Sequence, residues 1–197
     1  MLDSDEFGGA ARFFLVELYS DKDYSQRDAQ FARIAGTIQT FFPQQVVATA
    51  VAMAELHVLT EELDHQMALH WIQSSRPPVE RYIDIWRVLG HSADRYQQLS
   101  TVLEVGEELN RLTRTPGLRL MLRMMRGPAK AAGLGSLQGF LEAGFDTFAA
   151  MAGKGARAKE FLRIVQERES AWLQTLFEAN SAACRQQLST CVAQAQS

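Results

Sequence analysis

The stretch Pro43–Gln73, PQQVVATAVAMAELHVLTEELDHQMALHWIQ, decides the reading of the fold, for it holds no glycine and no proline after its first residue. Pro43 suits the first turn of a helix, where its missing N–H costs nothing. Arg76-Pro77-Pro78 ends the segment, because proline disfavours helical conformation in the residue before it. From Val46 to Leu59 the segment is apolar on nearly every face, Thr49, Glu55 and His57 excepted. A helix apolar all round is expected at the centre of its fold.

Working outward, the upstream run FFLVELYSDKDYSQRDAQFARI, Phe13–Ile34, divides into two helices at a charged corner. The first is expected over residues 6–19, with Phe13, Phe14, Val16, Leu18 and Tyr19 supplying bulk. Ser25 stands three residues before Asp28, a capping-box variant that starts a second helix running through Phe31 and Ile34 to about Phe41. Tyr19, Asp21, Asp23, Tyr24, Arg27 and Asp28 at the corner read as a joint between helices.

Downstream, PVERYIDIWRVLG places Tyr82, Ile85, Trp86 and Leu89 on one helical face and stops at Gly90. Ser92 is placed to cap the next helix, which stops before Pro116. A short helix follows over 118–126, punctuated by Gly127-Pro128. Ser136 is expected to cap a helix through Met151, in which Gly139, Ala143 and Gly144 form a small-residue face. Gly153, Lys154 and Gly155 break the chain before a long helix over 156–178 that carries Phe161, Leu162, Val165, Trp172, Leu173 and Leu176. No alternating strand pattern, internal repeat or low-complexity segment occurs. The expectation is an all-α, single-domain bundle of seven or eight helices around a central apolar helix, with residues 1–180 as the domain and 181–197 as a helical tail prone to fray.

Composition is that of a globular chain: 197 residues, 47% hydrophobic and 22% charged, with a net charge of -3 that gives no general attraction to nucleic acid. The charge is uneven. Residues 1–64 carry eleven acids and four bases, and residues 65–197 carry twelve acids and sixteen bases. Such a division means either a partner surface or two halves that pair within the fold. Cys184 and Cys191 lie two helical turns apart, about 10 Å of rise, too far for an undistorted disulfide, and point to a reducing compartment. The acidic start, MLDSDEFGG, lacks the features of a signal peptide. The uncharged stretch Ala35–Ala54 is interrupted by Gln39, Pro43, Gln44 and Gln45, short of the roughly 20 apolar residues of a spanning helix. A soluble, cytoplasmic protein with no transmembrane segment is the expectation.

Three constellations bear on chemistry. Glu55 and His57 lie inside the apolar run, where a buried carboxylate needs a partner or a shifted pKa. A salt bridge to Arg12, Arg27 or Arg33 is the plainer reading, and a ligand pocket formed with Arg27 and Arg33 is the functional one. Further along, Glu62 and His65 form an E-x-x-H, but no second copy completes a di-iron set. His57, Glu61 and His65 form an i, i+4, i+8 stripe, so His57, Glu61, Glu62 and His65 are the candidate metal or haem residues. Third, RLTRTPGLRLMLRMMRGPAK is rich in base and free of acid. It sets Arg119, Arg123, Arg126 and nearby Lys130 against Leu118, Met121, Leu122 and Met125. Such a segment grips an anionic surface or acidic partner, or else packs its apolar face and pairs its arginines with the acidic first 64 residues. No P-loop, G-x-G-x-x-G after a strand, G-x-S-x-G or H-E-x-x-H is present.

The segments FFLVELYSDKDYSQRDAQFARI, AELHVLTEELD and LRLMLRMMRGPAKAAGLGSLQGFLEAGFDTF together resemble a family of bacterial helical proteins of unknown function. Its signatures are FF-x-x-x-LY followed by D-[FY]-x-x-RD, and MRGPA-x-AAGLG. The resemblance spans roughly residues 10–150, and Ser20 departs from it where a glycine is expected. It implies a bacterial, cytoplasmic, all-helical domain and assigns no activity, cofactor or site. The leading expectation is a non-enzymatic binding module with an unidentified protein or small-molecule ligand. The alternatives are a metal- or haem-binding enzyme or carrier and a structural homodimer.

Overall fold

The structure, a computed structural model, describes residues 4–5, 7–17, 30, 44–152 and 157–195. The chain is all-α, with no strand among the described residues. In order these form α1 (Gly8–Glu17), α2 (Gln44–Gln73), α3 (Pro78–Leu89), α4 (Ser92–Leu112), α5 (Leu118–Met124), α6 (Arg126–Ala131), α7 (Gly135–Ala152), α8 (Arg157–Glu178) and α9 (Ser181–Ala195). The corner after α1, the helix expected to follow it and the Gly153–Gly155 break fall outside the described residues. The chain packs as two compact units, one of residues 1–55 and 102–164, the other of 56–101 and 165–197. Helices α2, α4 and α8 each contribute to both.

In the first unit, Val47 and Met53 of α2 meet Val105 of α4 and Leu137 and Phe140 of α7. A neighbouring cluster joins Val46, Leu112, Leu118, Leu122 and Phe145. Phe13 of α1 stacks on Phe140 with ring centroids 5.8 Å apart. Gly144 makes that seat possible, because a Cβ there would lie 3.3 Å from the Phe13 ring. Gly139 and Ala143, grouped with it by spacing, are exposed, so only Gly144 permits a close approach. The buried Thr49 hydroxyl donates to the Gln45 carbonyl at 2.8 Å, which satisfies it within its own helix.

Local chemistry sets the ends of the helices around the basic segment. Gly117, at φ 79°, takes the left-handed turn that lets α5 begin just after Pro116. The break after α5 falls at Met125, and Gly127-Pro128 lies inside the first turn of α6. The proline therefore opens a helix where punctuation was expected, since first-turn N–H groups have no intrahelical acceptor to lose. Helix α7 begins at Gly135, and the Leu137 N–H donates to the Gln30 side-chain oxygen at 3.0 Å. A distant glutamine thus does the work expected of Ser136.

In the second unit, Ile83, Leu176 and Cys184 form a core with Val79, Tyr82, Trp86 and Leu188 against it. Arg87 holds this unit at the end of α8. Its guanidinium donates to the Leu176 carbonyl at 2.7 Å, the Ala179 carbonyl at 2.6 Å and the Ser181 hydroxyl at 3.1 Å. A cation at a helix C-terminus satisfies the orphan carbonyls and complements the dipole. Asn180 then caps α9 by accepting from the Ala183 N–H at 2.9 Å. Cys184 is fully buried, Cys191 is exposed and both are free thiols. Arg87→Met, which keeps the apolar stem, is expected to lower stability by about 1–3 kcal/mol through loss of charge-assisted hydrogen bonds. Urea unfolding measures that loss, and amide exchange over 181–195 should rise with it.

Candidate interaction surface on the basic segment

The basic segment is fastened to α7 by polar groups. Gln138 is buried, and its amide donates to the Leu122 carbonyl at 2.6 Å and to Glu142 Oε1 at 2.9 Å. Arg126 grips both Glu142 oxygens through Nε at 2.8 Å, and its Nη2 adds a further contact. One helical turn on, Arg119 pairs with Asp146 at 2.8 Å. The partners of these two arginines thus lie in α7, whereas pairing with residues 1–64 was one expectation from the charge division. Glu142 and Asp146, i and i+4 on α7, are the matching carboxylates that sequence reasoning missed. Their spacing opposite Arg119 and Arg126 was the available signal.

This fastening fixes which face of α5 is wet. Leu118 and Leu122 are buried and Met121 half-buried, as the amphipathic pattern requires. Leu120 and Met124 are 64% and 70% exposed, a pair one turn apart that the pattern did not single out. Arg123 lies between them in the chain, exposed on the same turn, and Lys130 is exposed on α6. Arg114, Arg123 and Lys130 have no carboxylate within ion-pair distance among the described residues. The result is an exposed apolar pair on a segment that also carries solvated cations.

The candidate residues of α2 sit differently. Arg27 and Arg33 lie outside the described residues, so the pocket they were assigned with Glu55 and His57 has no described wall from them. Glu55 is exposed, which corrects the expectation of burial. Apolar composition all round a helix does not bury every face, and Val51 and Val58, flanking Glu55 at one helical turn, are exposed with it. His57 is half-buried, while Glu61, Glu62 and His65 are exposed. Glu62 accepts from the Gln66 amide at 3.1 Å. Gln66 Oε1 in turn meets His91 Nε2 at 2.7 Å, and His91 Nδ1 meets Asp94 at 2.8 Å. No group of three or more His, Cys, Asp or Glu able to hold a metal ion occurs among the described residues.

A second polar cluster, unsignalled by any motif, surrounds Arg95. Its side chain is only 11% exposed and lies 4.5 Å over the Trp86 ring, with Asp64 at 3.7 Å. It also donates to Gln98, whose amide donates to the Thr60 hydroxyl at 2.6 Å. Burial pushes the Tyr82 hydroxyl pKa above its ordinary value despite the nearby Arg95 charge. These contacts tie α2, α3 and α4 within the second unit.

Fold and surface together define the class: an all-α protein that presents a basic, partly apolar segment to solvent. The chain belongs to the family described as domain of unknown function (DUF8198), whose model matches residues 1–183. No curated protein and no solved structure matches it. Among the described residues no helix is long and apolar enough to cross a membrane.

The Arg126 contact holds the Glu142 carboxyl below the ordinary glutamate pKa, with the Gln138 amide assisting. A depressed folded pKa contributes stability above the unfolded pKa, and that contribution is lost as pH falls through the folded value. Glu142→Gln is therefore expected to lower the urea midpoint at neutral pH. The gap to wild type should close in acid below the ordinary carboxylate range, and paired titrations at the two pH values check it.

Proposed function

We propose that this chain is a non-enzymatic binding module of the bacterial cytoplasm, and that it grips an acidic, partly apolar protein segment with the exposed face of α5 and α6. The observation that carries the reading is the exposure of Leu120 and Met124, 64% and 70%, on the stretch that also exposes Arg123 and Lys130. Isolated exposed apolar residues are ordinary on protein surfaces. Two long ones a turn apart, on a segment with exposed cations, match a hydrophobic anchor accompanied by charge.

Charge favours a protein partner over a lipid surface. Arg119 and Arg126 are already committed to Asp146 and Glu142. Arg114, Arg123 and Lys130 remain, and at about 1 kcal/mol for each cation near an anionic membrane they give weak adsorption. A partner that buries Leu120 and Met124 gains about 1.5–3 kcal/mol from each side chain in addition to the charge attraction. Bacterial origin and cytoplasmic placement rest on the motif resemblance, the free thiols and the absence of a spanning helix among the described residues.

Placing a photo-crosslinking phenylalanine analogue at Leu120 or Met124 in cells tests this reading. A discrete protein adduct is expected at both positions and not at the control position Val192, which is 40% exposed on α9. Arg123→Glu with Lys130→Glu should abolish the adduct, and Leu120→Ser with Met124→Ser should weaken binding of the captured partner by roughly 100–10,000-fold. Adducts that match the control position, or none, would overturn the reading.

A further inference from the structure

We propose that the later half of α2 is a self-association seam, which pairs antiparallel with the same helix of a second copy. The face lies wholly in the second unit and is separate from the basic segment. Along it Val58, Glu62, His65, Leu69 and Ile72 are all exposed, and they recur at intervals of four, three, four and three residues. That alternation averages 3.5 residues, the spacing that keeps one stripe facing a partner helix along a coiled coil. Ile72 is 78% exposed, Val58 67% and Leu69 44%, so the apolar members of the stripe are its open members. A solvated helix face would normally carry polar residues at those positions.

The charges on the stripe select its occupant. Two copies aligned antiparallel bring Val58 of each opposite Leu69 of the other. The same alignment brings Glu62 of each opposite His65 of the other. From Val58 to Leu69 the stripe is then complementary to itself, with two apolar layers outside two acid–imidazole layers, as a two-fold interface demands, and Ile72 falls outside the matched span, opposite Glu55 of the second copy. Flanking Glu61 faces Ala68 of the second copy, so no like charges meet. Parallel pairing in register would instead set the Glu62 carboxylates against each other, which is unfavourable. An unrelated apolar partner would leave Glu62 and His65 without a hydrogen-bonding partner.

The seam is small. Its 14-residue rise spans about 21 Å, and at about 10 Å of helix width it falls well below the roughly 800 Å² per partner of a stable complex. A concentration-dependent dimer in the micromolar range or weaker is expected, not a permanent one.

Sedimentation equilibrium on the full chain over about 10–500 µM reads the association. Wild type should dimerise reversibly. His65→Glu sets carboxylates opposite each other and should weaken the dimer at least about tenfold. Adding Glu62→Lys to it should restore or exceed wild-type association, because the charges are exchanged and the match is kept. Far-UV circular dichroism confirms that each variant folds. Register is read separately, in a Cys191→Ser background, by oxidising Val58→Cys together with Leu69→Cys. A covalent dimer from the pair, and from neither single variant, is expected. A wild type that stays monomeric throughout, a dimer indifferent to both charge variants, or crosslinking by Val58→Cys alone would overturn the proposal.

Discussion

The hydrogen bond from the buried Gln138 amide to the Leu122 carbonyl is the constraint from which the exposed surface follows. Losing it would leave one of the two N–H groups of the buried amide unsatisfied, a cost that favours keeping the last turn of α5 against α7. Once it does, Leu118 and Leu122 enter the core with Phe145. Leu120 and Met124 can then only face water. Arg119 of α5, on Asp146, and Arg126 of α6, on Glu142, add ion pairs along the same contact with α7.

Arginine serves two distinct ends in this molecule. Arg87 spends its donors on the carbonyls that end α8, and Arg95 lies flat on Trp86 within a polar network. Both use the planar fork in ways a lysine cannot reproduce. By contrast, Arg114, Arg123 and Lys130 stay solvated. The excess of base in residues 65–197 is therefore partly structural, and three of the solvated bases fall within the one segment that carries Leu120 and Met124.

Helical periodicity and the prolines at 77, 78 and 116 made the all-α class and most described helices legible in the sequence. What sequence did not reveal depended on tertiary contact. Gly127-Pro128 looked like a stop, yet the same residues suit the start of α6. Ser136 looked like a cap, but Gln30, more than a hundred residues earlier, takes that part. Glu55 looked buried because its neighbours are apolar, although one face of α2 is left open. The arginines of the candidate surface were visible as a run. Which of them are neutralised depended on Glu142 and Asp146, and that pairing exists only once α5 lies on α7.

Thiol labelling with a membrane-permeant maleimide tests the central claim most directly. It would compare Leu120→Cys, in a Cys191→Ser background, as purified protein and inside intact cells. A surface open in the isolated chain and covered by a partner in the cell predicts fast labelling when purified and slow labelling in cells. Leu122→Cys should be protected in both settings. Equal labelling of Leu120→Cys in both would contradict a covered surface, and fast labelling of Leu122→Cys would contradict the packing of α5 on α7.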